Sequence, residues 1–509
     1  MQERESFKRI VQLSLSAVCL VAQIVVYRHL WYQYLAYEVL LPFWNRGHIL
    51  VILIYAALMF AFAKMYGGMK IGYYRNSEII FSQLFATVMV NIITYFQDSL
   101  MIMRLARPQY FLVITAIDAA IIIIWNFVAS FIYSCIFAPK QMLLIYGDRP
   151  YEDIVTKFHT RKDKYIISKC ISYRVGYDSM FAEILERYDA VVLWDLPTDV
   201  RNKVLKYCYG KSIRVYIMPK ITDVILKGAD QLNLFDTPIL LIREYNLSFE
   251  QRFLKRLIDI VCSLILIIIS SPFMLVTAIA VKLYDGGPIL YKQIRCTRGN
   301  KEFQIMKFRS MRVDAEKDGV ARLAAKHDDR ITPIGKFIRA CRLDELPQLF
   351  NILKGDMSFI GPRPERPEII EQYLEIMPEF AFRTKVKAGL AGYAQVYGKY
   401  NTTPYDKLKL DLYYIENYSV WMDFKLMFLT LKILLTPDST EGIETSQITA
   451  MKQSNEELRA KKERLDREAR ERVERELAER AAHEAEVLGK HEAERATHEA
   501  EVLEKRQES

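Results

Sequence analysis

Four long apolar segments in the first 140 residues constrain the fold of this chain more than any other feature. Each approaches the roughly 20 apolar residues that a helix needs to cross the hydrocarbon core of a bilayer. They lie at about residues 10–27, 49–64, 79–97 and 110–137. The segments predict a membrane α-helical bundle of four spans in residues 1–140. The polar sequence after the first segment argues against a removable signal peptide.

Basic residues near the ends of these segments predict their orientation. They are Arg4, Lys8, Arg9, Lys64, Lys70, Arg75 and Lys140. Because cytoplasmic loops are enriched in Lys and Arg, we expect the N-terminus and the sequence after the fourth span to be cytoplasmic. Arg104 and Arg107 depart from this pattern. Asp118, inside the fourth span, is either a helix-helix hydrogen-bonding residue, which we favour, or a functional acid.

A fifth apolar segment, from Leu257 to Val281, has basic residues on both sides. Arg252, Lys255 and Arg256 precede it and Lys282 follows it. This favours cytoplasmic locations for both ends. Near the middle, Pro272 removes a helical hydrogen bond, and the Ser271 hydroxyl can satisfy the freed carbonyl. We therefore expect a re-entrant membrane helix that breaks at Ser271-Pro272, with an ordinary kinked fifth span as the alternative.

Residues 141–245 alternate short β-type runs with helical patterns. The runs are QMLLIYG, YDAVVLWD and IRVYIMP. Such alternation predicts a Rossmann-like α/β domain with a parallel sheet. A glycine-rich phosphate fingerprint is absent after the first run, where YGDRPYEDI contains only Gly147. We favour a structural or interaction domain over a dinucleotide site.

Charge and cysteine content restrict the chemistry of the remaining sequence. The formal net charge is +9, and the seven cysteines include no CxxC pair, so neither a zinc site nor a disulfide framework is indicated. From residue 286 onward, glycine, proline and basic residues recur in blocks that include GGP, YKQIRCTRG, FQIMKFRSMRVDAE, RLDELPQ, GDMSFIGPRPE and VKAGLAGYAQV. A site for several phosphates needs such cations. A basic face on anionic lipid is the alternative.

Asp344 and Glu345 form a carboxylate pair among these cations. They belong to GKFIRACRLDELPQLF, residues 335–350, whose apolar spacing predicts a helix. Consecutive helical residues point about 100° apart, so the two carboxylates are not expected to share one task. One can attack phosphorus while the other helps to hold magnesium, whose preferred ligands are carboxylate and phosphate oxygens.

Taken together, these blocks resemble the bacterial sugar transferases, which are monotopic polyprenyl-phosphate hexose-1-phosphate transferases. The resemblance runs from about Phe253 to about Pro437, and its most specific blocks are GGPILYKQIR, KFRSMRVDAE, DRITPIG, LDELPQLFNILKGDMSFIGPRPE and KAGLAG. It implies a mainly α catalytic domain in residues 250–440. It also implies a two-step reaction: Asp344 attacks the β-phosphorus of a UDP-sugar and releases UMP, and undecaprenyl phosphate then takes the phosphosugar from the enzyme.

The resemblance also implies roles for other residues. Glu345, together with Asp344, is expected to bind Mg²⁺. Arg339, Arg363 and Asp423 match family positions around the substrate. We add Lys307 and Arg309 as substrate-binding candidates on the basis of charge alone.

Cellular context follows from the same resemblance. We expect a multi-pass protein of the bacterial inner membrane with a cytoplasmic catalytic domain that starts capsule, exopolysaccharide or O-antigen synthesis. The expected partners are a UDP-sugar, undecaprenyl phosphate, membrane lipid and a second copy in a homodimer, with no nucleic acid. A glycosyltransferase that releases UDP and a non-catalytic assembly scaffold remain alternatives.

Two regions depart from the family pattern. Ala388-Gly389-Leu390-Ala391-Gly392 replaces the usual Pro-Gly-Ile-Thr-Gly, so sugar specificity is expected to differ if this loop contacts the substrate. Residues 450–509 form a tail rich in Glu, Arg and Lys. Its composition predicts a long charged helix with ion pairs four residues apart, rather than a stable coiled coil. A contact between this tail and polysaccharide-assembly proteins is a hypothesis.

Overall fold

A computed structural model describes residues 7–39, 45–186, 188–234, 236–242, 247–312, 330–398 and 402–434. The predicted helical tail at 450–509 lies outside these residues. Contacts divide the chain into a main unit, which contains residues 7–309 and 338–434, and a second unit, of which residues 310–312 and 330–337 are described. In the second unit, Met311 forms an antiparallel bridge with Ile331. All of the following description concerns the main unit unless stated.

Four apolar helices form the N-terminal bundle. They are α1 (Lys8–Leu30), α2 (Asn45–Tyr66), α3 (Asn76–Ile102) and α4 (Pro108–Ile136). A π-helical turn at Trp31–Leu35 and a 3-10 turn at Ala36–Glu38 follow α1. Including one helix later in the chain, five helices of the described residues are long and apolar enough to cross a membrane. The prediction of several apolar helices in this region is confirmed, whereas the number of spans stays a prediction.

The bundle interior combines aromatic packing with hydrogen-bonded polar groups. The rings of Tyr27 and Tyr55 stack with centroids 4.0 Å apart. The Tyr27 hydroxyl also donates to the Asp98 carboxylate at 3.2 Å. Polar side chains between membrane helices pair in this way because lipid offers no partners. Asp118 is completely buried as well, and both of its proposed roles stay predictions.

A four-stranded parallel sheet follows the bundle and confirms the α/β expectation. Its strands are β1 (Lys140–Tyr146), β2 (Tyr165–Ser172), β3 (Ala190–Trp194) and β4 (Arg214–Ile217). The strand order is β2-β1-β3-β4, and all pairs are parallel. This order matches the flavodoxin-like pattern of doubly wound sheets rather than the classic 3-2-1-4-5-6 order of dinucleotide-binding sheets. The Rossmann-like detail stays a prediction.

Short helices connect and follow these strands. They are α5 (Glu152–His159), α6 (Tyr177–Glu186), α7 (Thr198–Gly210) and α8 (Ile221–Lys227). An antiparallel hairpin comes next, with β5 at Asp230–Leu234 and β6 at Thr237–Leu241. The lone Gly147 after β1 has a packing role, since a Cβ there would lie 2.1 Å from the Asp195 carbonyl oxygen.

The long helix α9 spans Phe249–Asp285 and corresponds to the fifth apolar segment. It begins at a capping box formed by Ser248 and Gln251 and ends at Gly286, which has a φ of 69°. A side-chain cap at one end and a left-handed glycine at the other set its limits. Most of the large apolar side chains between these ends are exposed, as expected for a helix surrounded by lipid.

Pro272 lies inside α9 without interrupting it. The prediction that the helix breaks at Ser271-Pro272 is therefore wrong, because α9 continues through these residues as one helix. The expected compensation is present: the Ser271 hydroxyl donates to the Ile268 carbonyl at 2.8 Å. This is the carbonyl that loses its helical donor, because proline has no N–H.

The described part of residues 287–434 contains one hairpin, one short parallel strand pair and several helices. The hairpin pairs β7 (Leu290–Cys296) with β8 (Glu302–Phe308), and the parallel pair joins β9 (Ser358–Ile360) to β10 (Gly389–Ala391). The helices are α10 (Pro333–Ala340), α11 (Gln348–Lys354), α12 (Pro367–Ile376), α13 (Tyr393–Tyr397), α14 (Pro404–Glu416) and α15 (Val420–Leu434), with 3-10 segments at Leu343–Glu345 and Pro378–Lys385. Buried apolar residues of α11, β9, α14 and α15 share one core with Ile221 and Val224 of α8.

Candidate functional site

The carboxylate pair lies on a tight turn, not within a continuous helix. α10 ends at Ala340, and Arg342 adopts the left-handed conformation with a φ of 55°. A 3-10 turn, Leu343–Glu345, then leads into α11. The predicted helix over 335–350 is wrong here, because a left-handed residue reverses the backbone rotation that a helix requires. The turn leaves Asp344 buried.

Glu345 is surrounded by three cations from three parts of the chain. Its Oε1 lies 3.1 Å from the Lys307 Nζ, 3.5 Å from an Arg363 nitrogen and 3.6 Å from an Arg342 nitrogen. Lys307 comes from β8 and Arg363 from the loop after β9. The structure therefore brings Lys307 and Arg363 to the pair, as the sequence predicted. Their substrate-binding role itself stays a prediction.

These cations control the protonation of Glu345. Burial by itself would raise the pKa of this carboxyl, but the positive charges of Lys307 and Arg363 outweigh it and hold the pKa well below its usual range. Burial also lowers the pKa of the Lys307 ammonium, although Glu345 opposes this shift. Glu345 is thus ionised at neutral pH and keeps its positive neighbours close.

Asp344 behaves differently although it is the adjacent residue. Burial, and then the negative charge of Glu345, raise its pKa to about 6, against the opposing effects of Lys307 and Arg339. Its Oδ1 is buried and has no hydrogen-bond partner within the described residues. A carboxylate with this pKa is mostly ionised at neutral pH and more basic than an ordinary one. One of its oxygens is not engaged in hydrogen bonding.

Arg309 is directed to the end of the membrane helix. Its guanidinium is buried and forms an ion pair with Asp285, the last residue of α9. Its other terminal nitrogen, Nη1, has no hydrogen-bond partner within the described residues. The structure therefore places Arg309 two residues beyond Lys307, next to the membrane helix, rather than in contact with Glu345.

Asp423 lies in a separate buried cluster. Its carboxylate accepts from the Lys255 ammonium at 2.6 Å, the Tyr414 hydroxyl at 2.7 Å and the Tyr418 hydroxyl at 3.3 Å. The Lys255 ammonium also donates to the Ile360 carbonyl. These bonds attach the first turns of α9 to α15. The contacts of Asp423 are thus with α9 and α14, and its predicted substrate-binding role stays a prediction.

The loop that carries Arg363 is held by a group of charged residues whose pairing the sequence did not reveal. Glu365 accepts from Lys407 at 2.7 Å and lies 3.8 Å from Arg383 and 3.9 Å from Arg295. Arg383 also donates to the Arg363 carbonyl at 3.1 Å. Arg363 and Glu365 both belong to the PRPE motif, which was visible in the sequence. Its partners come from distant segments and are recognisable only after folding.

The variant loop 388–392 packs against the Arg363 loop through backbone groups. The Gly361 amide donates to the Ala391 carbonyl, and the Gly389 amide donates to the Pro362 carbonyl, both at 2.9 Å. A Cβ on Gly389 would lie 2.1 Å from the Gly361 nitrogen, so only glycine fits there. Ala388 lines a small pocket together with Arg363. A change in this loop can therefore alter the position of Arg363 without itself contacting a sugar.

A magnesium site here would consist of few protein ligands. No group of three or more His, Cys, Asp or Glu side chains suited to a metal occurs in the part of the chain that the structure describes. Magnesium, however, is commonly held by one or two carboxylates together with substrate phosphates. Asp344, with its unpartnered Oδ1, and the ionised Glu345 fit that pattern.

Comparison with known proteins finds similarity in the region that contains these residues. The family model described as "Bacterial sugar transferase" matches residues 250–437, which include the carboxylate pair and the Arg363 loop. A UDP-N-acetylgalactosamine-undecaprenyl-phosphate N-acetylgalactosaminephosphotransferase of Aeromonas hydrophila is 36% identical over 301 residues, covering 58% of this chain and 67% of the relative.

Two further relatives carry related names. A UDP-glucose:undecaprenyl-phosphate glucose-1-phosphate transferase of Klebsiella pneumoniae is 41% identical, covering 48% of this chain and 51% of the relative. An undecaprenyl-phosphate galactose phosphotransferase of Salmonella typhimurium is 37% identical, covering 49% of this chain and 58% of the relative. The chain thus spans about half the length of these two proteins. The names of all three relatives describe transferases that act with undecaprenyl phosphate, but the sugars in these names differ.

Proposed function

This chain belongs to the bacterial sugar transferase family, and on that premise we propose that it transfers a hexose 1-phosphate from a UDP-sugar to undecaprenyl phosphate. The observation that carries the proposal is the buried Asp344 with an unpartnered oxygen, beside a Glu345 held by three cations. Such a reaction would begin capsule, exopolysaccharide or O-antigen synthesis. The sugar is not specified, since the named relatives use three different ones.

The first step is attack of an Asp344 carboxylate oxygen on the β-phosphorus of the UDP-sugar. An oxygen-phosphorus bond forms, the bond to the α-phosphate oxygen breaks, and UMP leaves with the electron pair. In the second step an oxygen of undecaprenyl phosphate attacks the same phosphorus and releases the carboxylate. The pKa of Asp344, about 6, leaves the nucleophile mostly ionised at neutral pH.

Positive side chains reduce the repulsion between this carboxylate and the diphosphate. Lys307 and Arg363 are close enough to Glu345 to also reach a phosphate bound beside it, and Arg339 lowers the pKa of Asp344. Magnesium, held by Asp344 and Glu345, would supply further charge neutralisation on the diphosphate. Arg309 and Asp423 are kept as substrate-binding candidates on weaker grounds, because their contacts are with α9.

We further propose a re-entrant path for α9, which would hold the site at a membrane surface. Near its start, Arg256 donates to the Ile352 and Leu353 carbonyls of α11, both at 2.7 Å. Asp259 accepts from the Ser358 hydroxyl and the Phe359 amide at 3.0 Å. The first turns of α9 are therefore bound to the catalytic domain.

The other end of α9 is bound to the same domain. Asp285 pairs with Arg309, three residues after Met306, whose amide donates to Asn351 of α11. A straight helix would separate Arg256 and Asp285 by about 44 Å. Both ends of α9 are instead connected to α11 through a few contacts. This supports a path in which the two ends of α9 lie on the same side of the bilayer. A domain attached to both ends could not reach them across a hydrocarbon core about 30 Å thick.

Contacts with the bundle support a cytoplasmic location for the site. Phe428 of α15 meets Phe62 of α2 edge to face with centroids 5.5 Å apart, and Lys432 donates to the Ser82 hydroxyl of α3 at 2.7 Å. The catalytic domain thus lies near the turn between α2 and α3, which carries Lys70 and follows Lys64 in the last turn of α2. Basic turns face the cytoplasm, so we propose the inner membrane with a cytoplasmic catalytic domain. The homodimer and the tail contacts stay predictions.

The test uses the purified full chain with magnesium and a UDP-sugar labelled in its β-phosphate, supplied as UDP-glucose, UDP-galactose or UDP-N-acetylgalactosamine. Without lipid phosphate, we expect label on the protein and an equal amount of UMP. Added undecaprenyl phosphate should then move the label to lipid. Asp344→Asn should acquire no label, while Asp199→Asn, at an exposed acid of α7, should behave as wild type.

Other outcomes would identify the alternatives. Release of UDP without protein-bound label would indicate a glycosyltransferase. A protein that inserts normally but transfers nothing from any of the three donors would indicate a scaffold. Turnover by Asp344→Asn at the wild-type rate would overturn the proposed nucleophile.

A further inference from the structure

The α/β domain has no nucleotide fingerprint, yet it is packed directly against the catalytic domain. Ile221 and Val224 of α8 are buried in the same apolar core as Leu408 and Leu412 of α14. At the end of α8, Gly228 lies so close to α14 that a Cβ would approach the Glu416 Cβ at 2.6 Å and its carbonyl oxygen at 2.7 Å. The two domains therefore meet through a tight contact rather than a loose tether.

Two cations extend this contact along α14. The Lys227 ammonium lies 4.7 Å from the centre of the Tyr413 ring, and the Arg149 guanidinium lies 4.3 Å from the centre of the Tyr405 ring. Both distances are in the range of cation-π attraction. α14 is thus held by the α/β domain near its start and near its end.

The other side of α14 carries the residues that hold the Arg363 loop. At 100° per residue, Tyr405, Tyr413 and Glu416 lie within about 80° of one another on the helix, and Lys407 and Asp411 lie on the opposite side. Lys407 binds Glu365 at 2.7 Å. Asp411 binds the Arg383 Nε at 2.7 Å.

This arrangement links the α/β domain to the carboxylate pair through a series of direct contacts. Gly228 packs on α14; Lys407 and Asp411 of α14 hold Glu365 and Arg383. Arg383 then donates to the Arg363 carbonyl. Arg363 in turn reaches Glu345 at 3.5 Å. Because packed helices move as rigid units, a displacement of α14 would displace the backbone that carries Arg363.

We propose that the α/β domain is a positioning element for the active site: through the Gly228 contact it fixes α14, whose Lys407 and Asp411 fix the loop that carries Arg363. Gly228, Lys407, Asp411 and Arg383 are then positioning residues rather than catalytic ones. The link to catalysis rests on the proposed transferase function, whereas the link from Gly228 to the Arg363 loop does not.

A matched pair of glycine substitutions tests the proposal in the full chain. Gly228→Ala introduces a methyl group against Glu416, whereas at Gly210, in the same domain, a Cβ would meet nothing within 4 Å. In Gly228→Ala we expect faster hydrogen exchange in peptides covering residues 361–366 and a fall in kcat/KM of roughly three- to tenfold. Because Arg363 is proposed to contact the diphosphate, we expect a raised KM for the UDP-sugar to account for part of this fall. Gly210→Ala should change none of these.

A second variant distinguishes an effect transmitted through α14 from a general destabilisation of the protein. Lys407→Met breaks the contact with Glu365, so Gly228→Ala added to it should lower kcat/KM by less than Gly228→Ala does alone. Fully additive effects, or unchanged exchange at 361–366 in Gly228→Ala, would overturn the proposal. If the wild-type chain releases no UMP, the transferase function fails, and the exchange measurement still decides the positioning role.

Discussion

Two buried carboxylates of the catalytic region, Asp344 and Asp423, lie in contrasting surroundings. Asp423 accepts from an ammonium and two tyrosine hydroxyls, and its partners join α9 to α14 and α15. Asp344 has an unpartnered Oδ1, and its neighbour Glu345 adds a negative charge. A carboxylate whose oxygens are satisfied stabilises a fold. One that is buried and partly unsatisfied costs stability and is available for chemistry.

The contrast extends to the cations around each carboxylate. Lys255 forms a buried ion pair with Asp423. The cations near Asp344 converge instead on Glu345, at 3.1 to 3.6 Å. The cations around Glu345 can give up their longer contacts with it and bind a phosphate instead. Lys255 cannot leave Asp423 in this way, because a buried charge would then lose its partner. The following substitutions separate structural from chemical roles on this basis, from the largest expected effect to the smallest.

Asp423→Asn should reduce the free energy of unfolding by about 3–5 kcal/mol, because it removes the carboxylate charge that is hydrogen-bonded to the buried Lys255 ammonium. Asp344→Asn should be neutral or slightly stabilising, since it removes a repulsion with Glu345. Thermal unfolding of the detergent-solubilised chain measures both. The double substitution Lys255→Met with Asp423→Leu replaces both charged partners by apolar side chains. It should therefore lose much less stability than Asp423→Asn. A stable but inactive Asp423→Asn would instead place Asp423 in the chemistry, as the family resemblance implies.

Glu345→Gln should lower kcat/KM on the order of a hundredfold, because the charge that gathers Lys307 and Arg363 is lost. The negative charge of Glu345 raises the pKa of Asp344. Without it that pKa falls, and the acid limb of the remaining activity should move to lower pH. Steady-state UMP release between pH 5 and 8 measures both effects. An unchanged acid limb would show that Asp344 is not the group that titrates.

Lys307→Met should move the acid limb in the opposite direction. In the wild type, kcat/KM should fall as pH drops below about 6, where Asp344 becomes protonated. Lys307 lowers the pKa of both Asp344 and Glu345, so its loss raises both values. We expect roughly a tenfold loss of kcat/KM at pH 6 and a smaller one at pH 8. Lys301→Met, at an exposed lysine of the same hairpin, is the control.

Features set by chain length and periodicity could be predicted from the sequence. The four N-terminal helices follow from bilayer thickness, and the parallel sheet follows from apolar runs that alternate with helical patterns. The grouping of Lys307 and Arg363 with the carboxylate pair also matched the charge pattern. These properties belong to single segments or to short blocks.

Features that depend on tertiary contact could not be predicted. The left-handed Arg342 ends the predicted helix, although no glycine marks the position. The cationic partner of Asp423, Lys255, is 168 residues away. The group around Glu365 likewise joins three separate segments through Arg295, Arg383 and Lys407. Side-chain partners at such separations follow from packing, which a local pattern does not encode.

Removal of single hydroxyls around Asp423 should give the smallest effects. Tyr414→Phe removes the 2.7 Å donor to Asp423 and a contact to Lys255, at an expected cost of about 1–2 kcal/mol. Tyr418→Phe removes only a 3.3 Å donor and should cost less, about 0.5 kcal/mol. Thermal unfolding ranks the two, and the pH-rate profile of each should match wild type. A shifted acid limb in either variant would connect the Asp423 cluster to the nucleophile and remove the distinction between the two carboxylates.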